Sequence, residues 1–373
     1  MATTTSKGYL PTLDGWRAVA ILGVLGDHMF WGDPHLGRYG HIVTGLLGEK
    51  GVTLFFGISG FLITWRLLEE REKFGVISLR SFYLRRACRI LPASTTYLVA
   101  IGLLGLAGLL AVNPHSWLSA LCFYRDYSNT SDWLTGHFWS LSIEEHFYLF
   151  WPALLALLGL PRAVKSASVL TVSLVVWRWL EWSHGWLGRY LPRVGFWFRS
   201  DTRLDAFLCA CLIAILFFNS SVRVSSRSWW GVLLVYLALA LHPRHSGLST
   251  TVEFGLSLCV PLLLVGTAFN PQWGISRVLE LSMIRWIGRI SYSLYLWQQL
   301  FLGNGRTGML PLRMAAVFLC ASASFYFIEK PMIRIGHRLA PPATAGRGDL
   351  NHIPNVQRTV RLEWAMESDT QNL

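Results

Sequence analysis

Arg17 and His28 stand eleven positions apart in a largely apolar run, Leu13–His28 (LDGWRAVAILGVLGDH). On a helix, at about 100° per residue, eleven positions complete about three turns, so both side chains fall on one stripe. They would lie about 16 Å apart along the axis. Charge in hydrocarbon costs several kcal/mol, so this stripe must face protein or water rather than lipid. A histidine takes and returns a proton near neutrality. An arginine clamps phosphate oxygens in pairs. The spacing suggests an active site threaded through a membrane, with Arg17 at one mouth and His28 near the other; the alternative is that Arg17 snorkels to the cytoplasmic interface and His28 caps the outer end. Asp14 belongs to the same stretch, and Asp27 points about 100° away from His28 as a competing base or a partner of another helix.

Two further sets of residues have matching chemistry. In Tyr83–Pro92 (YLRRACRILP), Arg86 and Arg89 are three apart and Arg85 and Arg89 four apart, so they can share a helix face and grip an anion. Taken alone, ordinary positive-inside charge is the simpler account of them. In HFWSLSIEEHFY, starting at His137, two adjacent carboxylates, Glu144 and Glu145, sit about two turns into an apolar stretch. They either pair structurally with an arginine of another span or serve a functional site, since His, Ser, Glu and Tyr crowd this one short run. His137, Trp139 and Ser140 precede them as binding candidates. Arg203 and Asp205 add charge at the head of another apolar run, with Arg203 a possible partner for Glu144 or Glu145.

These residues need helices to hold them. The chain of 373 residues is 53% hydrophobic and only 14% charged, with a mean hydropathy of +0.40. A soluble domain would carry about a quarter charged residues. Its apolar runs reach the length that crosses a bilayer. The expectation is an all-α, polytopic integral membrane bundle of about ten transmembrane helices. The spans fall near 12–31, 51–68, 91–112, 137–160, 166–184, 204–218, 229–242, 251–269, 290–303 and 309–329. One transmembrane domain, 12–331, would lie between a cytoplasmic arm, 1–11, and a polar cytoplasmic tail, 332–373. The segment Glu69–Ile90 reads as the most basic loop, which the positive-inside rule places in the cytoplasm with both termini. Trp117–Tyr124 is too short to cross and reads as interfacial or re-entrant. Arg189, Arg193, Arg199 and Arg203 crowd an outside linker against that rule, as a ligand or packing feature or a sign of different topology. No cleavable signal peptide is expected, because Asp27 and His28 interrupt the first apolar run.

The net charge of +12 lies in short loops, which suits anionic lipid or a phosphorylated ligand and argues against nucleic acid. Six cysteines form no CxxC and read as buried apolar residues, so neither a disulfide framework nor a metal site is expected.

In order along the chain, LDGWRAVAILGVLGDH, GVTLFFGISGFLIT, FYLRRACRILPA, HFWSLSIEEHFYLFWP, TRLDAFL, GRISYSLYLWQ and FYFIEKP resemble the integral-membrane acyltransferase family 3. These are bacterial membrane O-acyltransferases. The resemblance runs from Leu13 to about Pro331, in a stand-alone form without the esterase-like domain that some members carry. His146 stands where glutamine is commoner, and Gln298 stands where a histidine usually follows LYLW, so no chemistry is assigned to Gln298.

The resemblance implies an O-acyltransferase in the bacterial cytoplasmic membrane. Acyl-CoA, with acetyl-CoA expected, is its co-substrate, and the acceptor is a hydroxyl of a glycan, glycolipid or secondary metabolite. No permanently bound cofactor or metal is implied. On this reading Arg17, Arg86 and Arg89 hold the donor, and His28 is general base or transient acyl carrier. Glu144 orients the imidazole, with Glu145 beside it. Ser140, Tyr292 and Tyr295 support binding or the oxyanion. The competing class is a multispan transporter or flippase of a polar or lipid-linked solute, which buried charge serves equally well. A non-catalytic scaffold is a third reading, in which His28 and Glu144 tolerate alanine.

Overall fold

A computed structural model describes residues 10–30, 37–130, 132–192, 194–218, 226–242, 248–303 and 309–340. The arm before Leu10, Arg193 and the tail beyond Ala340 lie outside the described residues. The described residues are helical and contain no strand. In chain order the helices are α1 (Pro11–Met29), α2 (Gly37–Phe74), α3 (Leu79–Leu106), α4 (Pro114–Leu121), α5 (Trp133–Gly136) and α6 (Phe138–His184). Then follow α7 (Ser200–Arg203), α8 (Asp205–Phe218), α9 (Ser226–Ala240), α10 (Ser249–Ala268) and α11 (Gly274–Leu279). The last are α12 (Ser282–Arg289), α13 (Ser291–Phe301), α14 (Leu310–Ser324) and α15 (Lys330–Leu339), with a π-helical stretch Phe325–Glu329 before α15.

Five helical segments are long and apolar enough to cross a bilayer: Leu47–Phe74, Leu79–Leu106, Trp133–His184, Ser249–Ala268 and Leu310–Leu339. Large apolar side chains point outward from them, with Leu106 88%, Leu157 77% and Phe327 81% exposed. Charged side chains such as Arg178, Glu181, Arg203, Asp205 and Glu253 are buried within. Lipid rewards that polarity, because an outward-facing charge finds no partner there.

The segment expected as a basic loop, Glu69–Ile90, is mostly helical. Helix α2 continues to Phe74 through strong helix formers and ends where Gly75 takes the left-handed φ of 76° that glycine tolerates. Ser78 caps α3 by accepting from the Ser81 backbone N–H. Only Gly75–Ser78 remains as the connection, and Pro92 falls inside α3. Helix α6 covers two of the expected spans. Gly159, at φ 71° and ψ 167°, breaks it into two limbs just before Pro161.

Helix α1 is the central element. It packs on α2, α10, α11, α12 and α13. Its contact with α2 is close because small residues line it. A Cβ on Gly51 would sit 2.4 Å from the Ala20 carbonyl oxygen, and one on Gly23 would sit 2.7 Å from that of Leu47. In a membrane such small-residue seams, rather than burial of oily side chains from water, bring helices together. Trp117 of α4 donates from Nε1 to the Leu98 carbonyl (2.9 Å), which ties that short helix to α3.

Candidate active site

At its Pro11 end, α1 presents Arg17, whose Nη1 donates to Asp14 Oδ1 at 3.1 Å. Arg89 of α3 and Tyr148 of α6 are within electrostatic reach of Arg17. The Arg86 guanidinium lies over two rings, 4.9 Å from the Tyr148 centroid and 5.7 Å from that of Phe82. It also feels Arg89, Arg17 and Glu144. Tyr148 donates to Glu144 Oε2 (2.8 Å) and lies 3.2 Å from the Ser59 hydroxyl. Glu329, fully buried, accepts from Ser293 Oγ at 2.9 Å and feels Arg89 and Arg17. Helices α1, α3 and α6 and the π-helical stretch before α15 thus gather three guanidiniums with Glu144 and Glu329. Like charges held this close repel, and a polyanion entering between them relieves that repulsion.

At the other end of α1, His28 Nδ1 is 2.7 Å from Gln298 Oε1 of α13. With that oxygen as acceptor, Nδ1 carries the proton and Nε2 keeps its lone pair. The Trp133 ring meets the imidazole edge-on, 5.3 Å between centroids. Trp133 is itself fixed by Nε1, which donates to the backbone carbonyls of Gln299 (2.9 Å) and Leu302 (3.2 Å). The next glutamine, Gln299, holds His137: its Oε1 lies 2.5 Å from Nδ1 and accepts the His137 backbone N–H at 3.2 Å. Tyr295 donates to the His137 carbonyl (3.0 Å), and its hydroxyl is 2.6 Å from Ser140 Oγ. His28, His137, Ser140 and Tyr295 therefore share one end of the bundle.

Other candidates lie elsewhere. Glu144 sits with the arginines and not with His28, so it does not orient that imidazole here. Glu145 neighbours Glu144 and Arg86. Arg203 does not pair with either glutamate. It donates to Glu253 Oε2 (2.8 Å) and Thr53 Oγ1 (2.7 Å), and Glu253 also takes Lys50. Asp205 pairs with Arg178 at 2.8 Å. Arg199 joins Glu181 and Asp201, each at 2.8–2.9 Å, so these arginines of the crowded linker are packing features. Tyr292 donates to the Ile90 carbonyl (2.9 Å), away from His28, and Trp139 packs on Phe56 and Phe198. Asp27 faces α2 at Gly48.

A third cluster was not foreseen. Ser200 Oγ is 2.7 Å from Asp126 Oδ2 and 2.8 Å from His146 Nδ1. Burial pushes the Asp126 carboxyl above its ordinary range, against the opposing pull of the Ser200 hydrogen bond and the His146 charge. All six cysteines are free thiols. Among the described residues, no group of three or more His, Cys, Asp or Glu side chains is placed to hold a metal ion.

The model of the acyltransferase-3 family, described as an acyltransferase domain, matches residues 10–328. The chain belongs to that family. The matched region contains both ends of α1 and every residue just placed around them except Glu329, which follows it directly. The peptidoglycan O-acetyltransferase OatA of Listeria monocytogenes is 28% identical over 90% of this chain and 57% of its own length. OatA of Staphylococcus aureus (strain NCTC 8325 / PS 47) is 26% identical over 89% of this chain and 58% of its own. A Staphylococcus aureus (strain COL) protein named provisionally as an O-acetyltransferase is 28% identical over 88% of this chain and 58% of its own. The chain thus spans less than three fifths of these relatives. No solved structure matches.

Reading the sequence assigned Gln298 no role and passed over Gln299, Trp133 and Glu329. The signal was present: two consecutive amides and a carboxylate inside apolar helices are costly to bury without partners.

Proposed function

We propose that this chain is a membrane-embedded O-acyltransferase that moves an acyl group, with acetyl the expected one, from acyl-CoA to a hydroxyl of a glycan or glycolipid. The observation that carries this reading is the arrangement along α1, an arginine cluster at one end and a histidine fixed by Gln298 at the other. The reaction is RO–H + acyl–S–CoA → RO–acyl + HS–CoA. Arg17, Arg86 and Arg89 receive the phosphates of CoA, whose extended pantetheine arm is comparable in reach to the separation along α1. His28 Nε2 takes the proton of the acceptor hydroxyl as its oxygen attacks the thioester carbonyl, and the proton passes to the departing thiolate. A glycan acceptor is supported by the printed activity of the Listeria relative.

The topology that suits this chemistry has about ten spans with both termini cytoplasmic. The two limbs of α6 count as two spans, and α1, α8, α9 and α13 cross as shorter helices. The arginine end then faces the cytoplasm, where acyl-CoA is made. The test is thiol release from acetyl-CoA by membranes carrying the protein, coupled to a new base-labile acetyl ester on the acceptor.

A further inference from the structure

His137 is held at three of its four polar positions. Its backbone N–H and Nδ1 both meet Gln299 Oε1, and its carbonyl accepts from Tyr295 and from Ser140 Oγ (3.2 Å). The first of these contacts decides the orientation of the Gln299 amide. A backbone N–H only donates, so the atom it meets must be the oxygen and not the amide nitrogen. An amide oxygen only accepts, so Nδ1 of His137 must carry a hydrogen. In the neutral ring Nε2 is then a bare acceptor. That nitrogen is buried and has no hydrogen-bond partner, in a residue only 2% exposed. The rings of Tyr97, Phe138 and Tyr295 stand edge-on around it. The Leu296 carbonyl approaches the ring, but a carbonyl only accepts and so supplies no donor to a bare Nε2. A buried acceptor left unmade costs about 1–3 kcal/mol, and folded proteins keep few of them. What this position lacks is an O–H or N–H donor. His28 is near enough for the two rings to interact electrostatically.

We propose that His137 Nε2 is the acceptor-binding atom of the site and receives an O–H of the acceptor sugar, holding it beside His28. This rests on the O-acyltransferase reading and adds an atom for its second substrate. Gln299 acts through His137: by fixing the hydrogen on Nδ1 it keeps Nε2 an acceptor, which selects for hydroxyl donors.

The experiment measures equilibrium binding of chitotetraose to purified protein in detergent without acetyl-CoA, so that it reads the acceptor alone. His137→Asn keeps a donor to Gln299 but lacks the distal nitrogen. Gln299→Glu keeps an oxygen for both N–H groups, whereas Gln299→Leu keeps none. Expected is binding weakened about tenfold or more in His137→Asn and Gln299→Leu and kept within about twofold in Gln299→Glu. Equal binding by wild type and His137→Asn overturns the proposal and assigns Nε2 to a structural water. Absence of binding by wild type overturns it too. Should His137→Asn not accumulate, the contrast between the two Gln299 variants decides alone. Thiol release from acetyl-CoA is read separately on the same preparations, so a failed acyltransferase reading shows as wild-type membranes without thiol release, whatever the binding result.

Discussion

Gln298 Oε1 and His28 Nδ1 meet at 2.7 Å across 270 residues of sequence. Gln298 itself is fully buried. The contact joins α13 to the far end of α1 and, on the proposed reading, frees the second imidazole nitrogen to act as base. Gln298→Leu removes the anchor and lets the ring turn and exchange tautomers. Transfer should fall about tenfold to a hundredfold, equivalent to about 1.4–2.7 kcal/mol of barrier. Gln298→His restores a ring nitrogen that can pair with Nδ1 and should retain most activity. Initial rates of thiol release, normalised to folded protein, separate the two. Equal rates in wild type and Gln298→Leu would show that the bond does nothing for turnover.

The arginine cluster predicts which part of the donor is read. Arg86→Ala and Arg89→Ala should raise KM for acetyl-CoA while changing kcat little. They should also erase the preference for acetyl-CoA over acetyl-pantetheine, which lacks the nucleotide phosphates. A charge-assisted hydrogen bond contributes about 1.5–3 kcal/mol, so each variant should lose about tenfold or more of that preference. Unchanged discrimination in both variants would move the phosphate site elsewhere.

The first apolar run and the Arg17–His28 stripe were legible because helical period is a local property. The long apolar stretches behind α2, α3, α6, α10 and α14 were legible for the same reason. Partnerships were not. Glu144 and Glu145 looked like orienters of His28, yet Glu144 stands seven residues beyond His137, along α6, and meets the arginines instead. Arg203 looked like their counter-ion, but Glu253 of α10 and the Thr53 hydroxyl of α2 claim it. Gln298 was set aside because a histidine usually follows LYLW, while its partner lies 270 residues away on α1. The basic segment Glu69–Ile90 read as a loop because charge was taken for solvent exposure, although Arg86 of α3 is folded over Phe82 of the same helix and Tyr148 of α6.

The buried ion network makes a stability prediction. Arg203→Met takes a guanidinium away from Glu253, Glu49 and the Thr53 hydroxyl inside the bundle. Breaking a buried pair by removing one partner costs about 3–5 kcal/mol. The variant should accumulate poorly or melt well below wild type in detergent, with donor KM unchanged in whatever protein is recovered. A melting point equal to that of wild type would contradict the network's structural role.

Asp126 gives stability a pH dependence. Burial raises its carboxyl in the folded protein, so the native state binds more protons than the unfolded chain between the ordinary carboxylate range and the raised value. Its contribution to stability is present at low pH and is lost as pH rises through that window. Asp126→Asn keeps an oxygen for Ser200 and carries no charge. Thermal melts from about pH 4 to pH 8 should show wild type losing stability relative to Asp126→Asn as pH rises. Parallel curves for the two proteins would refute a raised carboxyl.

The most direct measurement is paired product analysis in membrane vesicles supplied with acetyl-CoA and chitotetraose. Free CoA thiol and acetyl ester on the glycan are quantified for wild type and for His28→Ala, with both proteins shown to be folded and equally abundant. The account predicts that wild type forms thiol and ester together and that His28→Ala loses about a hundredfold or more of both, within the range of a missing general base. Thiol and ester at wild-type rates from His28→Ala would contradict it.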